Sequence, residues 1–148
     1  MRISLAITVT LCLWLGGCQR HVAQYAHTAP DESLINTYWK LLTVNDEPVV
    51  AADNVREAHI VLHVERTRLA GSTGCNTLSG RHQHTGQQLT FHPIATTKMA
   101  CPTAQMRSEQ AMLIALKQTR RWNINGSLLE LTNARGEPLA VLKAVHLY

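Results

Sequence analysis

The apolar run from Ile3 to Leu15, closed by Leu15-Gly16-Gly17-Cys18, decides how much of this chain has to fold. Arg2 sets one positive charge in front of it. The run has the length of a secretory signal core. It falls short of the about 20 residues a bilayer-crossing helix needs. It is also the one long apolar stretch in 148 residues, which excludes a polytopic membrane protein, as the length excludes a multidomain enzyme. With 45% apolar residues overall, what remains suits one globular domain.

An aliphatic residue, two small residues and a cysteine resemble the lipobox of bacterial lipoproteins. Small residues let an extended chain enter a peptidase cleft, and the Cys18 thiol is the nucleophile that takes up a diacylglycerol. The expected course is lipidation (palmitate-type acylation) of Cys18, cleavage after Gly17 and acylation of the new terminus. Several chains on one residue give a stable membrane anchor. Gln19, where Asp would favour inner-membrane retention, points to the outer membrane with the domain facing the periplasm. The other readings are a plain secretory signal, or a buried first strand with an incidental Cys. Residues 1–17 are therefore read as signal peptide, 18–33 as acylated cysteine and tether, and 34–148 as the domain. The net charge of +4 is spread out, with no Lys/Arg run that suggests nucleic acid.

Of the four cysteines, Cys12 leaves with the signal and Cys18 is acylated. Cys75 and Cys101 remain, an even pair in an oxidising compartment. A bridge between them would stabilise by about 3.5 kcal/mol through loop closure. Two buried free thiols or a thiol metal site are the alternatives. A redox site is disfavoured because there is no Cys-x-x-Cys pairing.

Strand signals recur along the domain: Thr37–Val44, Ala58–Glu65 with Ala58, Ile60, Leu62 and Val64 inward, Arg68–Gly71, Arg81–Thr85, Leu89–Phe91 stopped by Pro93, Trp122–Asn125, Leu128–Leu131 and Leu139–Val145. Gly71–Gly80 reads as a loop. Thr103–Arg120 reads as the one helix, started at Pro102 and Thr103, with Met106, Met112, Leu113 and Leu116 on its apolar face. Many short strands with one late helix predict a mainly β (α+β) chain, a small antiparallel barrel or curved sheet plugged or flanked by the helix.

Several segments resemble the META domain family (HslJ-like): Trp39-Lys40-Leu41, Gly71-Ser72-Thr73-Gly74-Cys75-Asn76 with Ser79-Gly80, Leu89-Thr90-Phe91, and Ile94 to Cys101. Glu109 with Leu113 and Leu116, Trp122 to Gly126, and Leu129-Glu130-Leu131 complete it. Trp122 departs from the family, where a smaller residue is expected. The resemblance implies a compact barrel-like fold with one helix and an envelope-stress or heat-inducible setting, with links to novobiocin tolerance. It supplies no catalytic residues.

The residues themselves offer three chemistries. Gly74, Asn76, Thr96 and Thr97 either lock two neighbouring loops together or form a recognition loop. His59/His63 and His82/His84, each pair on one strand face, with Met99, could bind Zn or Cu, but no Asp, Glu or Cys completes a ligand spacing, so no metal site and no cofactor are assigned. Ser72 and Ser79 lack a nucleophile elbow, and Glu109 reads as a structural carboxylate paired with backbone or a base. The expected function is non-enzymatic: an envelope lipoprotein aiding stress or antibiotic tolerance by binding a protein or small ligand. Inhibition of a periplasmic hydrolase and His-based metal binding are the alternatives.

Overall fold

The first strand shows how the apolar pattern becomes a wall. In β1 (Tyr38–Val44) Trp39 and Leu41 point inward by simple alternation. A register shift between Leu41 and Thr43 then brings Val44, not Thr43, to the interior. Trp39 is fully buried, and its indole N–H donates to the Leu34 carbonyl at 3.1 Å. The computed structural model describes residues 30–49 and 56–146. The signal peptide, Cys18 and most of the expected tether lie outside the described residues.

The turn Asn45-Asp46, both at positive φ, leads to the two-residue β2 (Glu47–Pro48), which pairs with the end of β1. There follow β3 (Ala58–Leu62), β4 (Arg68–Thr73), β5 (Thr77–Thr85), β6 (Gln88–Thr96), β7 (Arg121–Asn125), β8 (Leu128–Thr132) and β9 (Pro138–Val145). All neighbours are antiparallel, and β9 returns to pair with β1 from Tyr38↔Val145 to Val44↔Ala140. Closure gives an eight-stranded barrel with β2 as a short arm, so the mainly β expectation with one helix holds. Leu62, Leu69, Leu89, Leu129, Leu131 and Leu142 fill the interior, all fully or almost fully buried.

Four local readings are corrected. The third strand ends at Leu62, and Val64 is 66% exposed, because Glu65–Thr67 wind into a 3-10 turn with Arg66 at φ 54°. Gly71–Gly80 is not a loop: β4 runs to Thr73 and β5 begins at Thr77. Its small residues serve close strand contact, since a side-chain carbon on Gly71 would meet the His59 carbonyl oxygen at 2.1 Å. The sixth strand continues past Pro93 to Thr96, with the irregularity absorbed opposite Gly80–His82. The helix α1 (Thr103–Gln118) has Pro102, without side-chain capping, at its start and buries Met112, Ala115 and Leu116, while Met106 is 52% exposed.

The barrel has two unlike ends. At one, the chain enters: the Asp31 carboxylate accepts the Gly126 N–H at 2.7 Å, and the Glu32 N–H donates to the Gly126 carbonyl at 3.0 Å. The Asn36 N–H then donates to Leu62 O at 2.7 Å. The entering segment thus runs along a rim from the β7–β8 turn to the β3–β4 turn. The opposite end holds the β4–β5 turn at Gly74–Asn76 and α1, which packs against β6, β1, β9 and β4.

Candidate functional site

Asn76 organises the helix end. It is buried, at 3% exposure, in the turn from β4 to β5, where Gly74 takes φ 90°. Its side-chain oxygen accepts the Thr97 hydroxyl and the Met99 N–H, both at 2.8 Å. Because the Met99 backbone can only donate, that contact fixes which way the amide points. The amide nitrogen then donates to Glu109, at 2.9 Å to Oε2 and 3.2 Å to Oε1. The Thr73 hydroxyl accepts the Asn76 N–H at 2.9 Å and spends its own proton on Glu109 Oε2 at 2.5 Å. One buried amide therefore joins the β4–β5 turn, the 97–99 segment and the helix.

Cys75 and Cys101 are disulfide-bonded, with Cα atoms 6.0 Å apart, and tie the same turn to the residues before α1. A second tie runs from the Thr77 N–H to the Thr97 hydroxyl at 3.1 Å and from the Thr97 N–H to the Thr77 carbonyl at 3.2 Å. Of the four expected loop residues, Asn76 and Thr97 are joined directly. Thr96 ends β6, and Gly74 opens onto a hollow lined by Lys40, Arg56, Glu57 and Gln105. Glu109, expected to pair with backbone or a base, takes an amide and a hydroxyl instead.

Beyond this lock lies a groove of about 510 Å³ between the 97–99 segment and α1. Asn76 and Glu109 line its base; Met99, Met106, Leu113 and Ile114 line its walls, with Lys98 and Lys117 beside them. Met99 is 54% exposed and Ile114 44%, an apolar surface on an otherwise polar helix face. Sequence periodicity assigns Met106 to the core and overlooks Ile114. The exposure of both follows from how α1 is rotated on the barrel, which only tertiary contacts show.

The histidines separate. His82 lies in the barrel interior, not on its polar outer face: it is 1% exposed, and Nε2 is 2.9 Å from the His63 carbonyl. Burial lowers its pKa below 6.5, aided by His84 and His63 and opposed by that carbonyl contact. His84 stacks on it at 5.7 Å but is exposed. His59 stacks on Tyr38 at 4.2 Å. The Tyr38 hydroxyl is pushed up to about 12, first by burial and then by the Glu57 carboxylate, which also pairs with Lys40. Among the described residues no three His, Cys, Asp or Glu side chains stand where they could share a metal ion. Ser72 accepts the Gly74 N–H at 3.1 Å.

Residues 32–146 match the META domain. This chain belongs to the META domain family. No curated protein matches the chain. Among solved structures, an NMR structure of a protein from Burkholderia xenovorans is 23% identical and superposes with a TM-score of 0.64 over 77% of this chain and 85% of that one. A second NMR structure is 24% identical, with a TM-score of 0.58 over 73% and 88%. At this identity the likeness is one of fold. In this META domain the Gly-Cys-Asn turn, the Thr-Lys-Met segment and Glu109 of the helix form one contact network. Trp122, the residue expected to depart from the family, is half-buried and donates its indole N–H to Gly86 O at 3.0 Å.

Proposed function

We propose that this META domain is a non-enzymatic, lipid-anchored envelope protein, held by Cys18 in the outer membrane and facing the periplasm. Its helix-side groove takes up an apolar, acidic segment of a partner protein, and that capture is its contribution to stress or antibiotic tolerance. The observation that carries the reading is the groove itself. Exposed Met99, Met106 and Ile114 offer adaptable apolar contact over a base that the Asn76–Glu109 lock holds still. Lys98 and Lys117 supply the charge that a carboxylate-bearing segment complements, while the Glu109 oxygens are turned to Asn76 and Thr73.

A photo-crosslinking residue placed at Ile114 in living cells tests this. Leu128, equally exposed at 43% but on the chain-entry rim, is the control position. The expected result is an adduct with one envelope protein from Ile114 only, mapped to an apolar segment bearing Asp or Glu and lost on combining Lys98→Glu with Lys117→Glu. Identical adducts from both positions, or indifference to the charge reversal, would overturn the reading. Palmitate labelling that persists in Cys18→Ala would overturn the anchor.

A further inference from the structure

We propose that Arg66, Arg68 and Arg81 form a docking patch for anionic phospholipid headgroups, seating the chain-entry rim of the barrel on the membrane. The inference rests on the anchored reading for its geometry, and its test is built to stand without it. Arg68 and Arg81 are directly opposite each other in the β4–β5 ladder, both exposed. Like charges at such a position repel. Arg66 joins them from the β3–β4 turn, and the three line one shallow groove of about 420 Å³ floored by Ser79, Gly80, Pro93 and Ala95. The ion pairs among the described residues are Lys40–Glu57, Arg135–Glu137 and His146–Glu32, and none involves these arginines. Glu65, in the same turn, is exposed and takes part in none of them. A cluster of guanidinium groups that the fold itself leaves uncompensated has the chemistry of a phosphate-binding surface.

Its place in the fold selects the source of phosphate. The chain reaches the barrel along the rim that contains the β3–β4 turn, through the Asn36–Leu62 hydrogen bond. Between Cys18 and Pro30 there is at most about 40 Å of extended backbone. An anchor at Cys18 therefore puts this rim within reach of a bilayer, where juxtamembrane bases are drawn to anionic lipid. The Met99 groove lies toward the other end of the barrel.

The test uses the full-length protein with vesicles of phosphatidylcholine alone or with about one third phosphatidylglycerol, read by flotation and by amide hydrogen exchange. An anchored protein floats with both. Exchange at residues 63–68 and 79–81 is then expected to slow by about tenfold with the anionic vesicles only, with residues 97–99 unchanged, and to recover in Arg68→Glu/Arg81→Glu. A protein without the anchor would float with the anionic vesicles only, and the same double substitution would release it. Equal exchange in both vesicle types, or flotation with neither, would overturn the proposal. So would equal protection by dissolved glycerophosphate at matched ionic strength, which would make the patch a small-anion site.

Discussion

The two ends of the barrel are closed by different physics. At the helix end, a disulfide and a buried amide with all its hydrogen-bonding groups used hold three segments in one arrangement. At the entry rim, backbone hydrogen bonds between turns do the work, beside a buried histidine and an uncompensated arginine pair. The first end is fastened by a covalent bond and by buried hydrogen bonds; the second carries a buried imidazole and exposed like charges. Rigid support lies beneath the apolar groove, where a loose floor would reduce affinity by adding ordering entropy.

The sharpest way to break this comparison is Asn76→Ala. It strips the Met99 N–H and Glu109 of a partner at once and should cost about 4 kcal/mol in urea unfolding, since each buried polar group left unmet costs about 1–3 kcal/mol and a charged one more. A loss under 1 kcal/mol would mean that the amide is incidental. Replacing both Cys75 and Cys101 by Ala should cost slightly less, about 3.5 kcal/mol, because the bridge closes a loop with a sequence separation of 26. Unfolding with and without reductant reads the same quantity on the native chain.

Most of the wall was legible in advance, because a closed barrel imposes strict alternation wherever large apolar residues are available. Trp39 and Leu41, Ile60 and Leu62, and Leu129 and Leu131 all follow it. Reading failed where the walls use small residues or irregularities. Gly71 and Gly80 carry no alternation signal, yet sit in strands because neighbouring backbones pass too close for a side chain. Pro93 looked like a stop but falls at a bulge, where its missing N–H costs little. The lock was half legible: Asn76 and Thr97 stood out by composition, but the Glu109 partnership spans 33 residues of sequence and depends on where α1 docks. The arginine patch was invisible, since Arg68 and Arg81 meet only once the register of β4 and β5 is known.

The entry rim should reveal itself by acid. His82 protonates less readily in the folded protein than in the unfolded chain, chiefly because its ring is buried. Below about pH 6.5 the unfolded state therefore binds more protons, and stability falls as pH falls, by up to about 1.4 kcal/mol per pH unit. Above that range the contribution is fully present. His82→Gln, which keeps a donor for the His63 carbonyl, should flatten the decline between pH 6.5 and 5 in thermal unfolding. The Cys75/Cys101 double variant should keep the slope while lowering the whole curve. If His82→Gln leaves the slope unchanged, the pH sensitivity does not arise at this rim.

The smallest effect is the most discriminating, because its sign opposes its consequence. Arg68→Glu replaces a repulsive cross-strand pair by an attractive one opposite Arg81 and should stabilise the isolated protein by about 0.5 kcal/mol. That is a rise in Tm of about 2 °C. The same substitution should remove the exchange protection that anionic vesicles confer on the β3–β4 turn. Gained stability together with lost membrane contact would show that the repulsion is kept for an external counter-charge. Lost stability would instead place Arg68 in a local contact that matters to the fold, and the two ends of the barrel would differ less than their hydrogen bonds suggest.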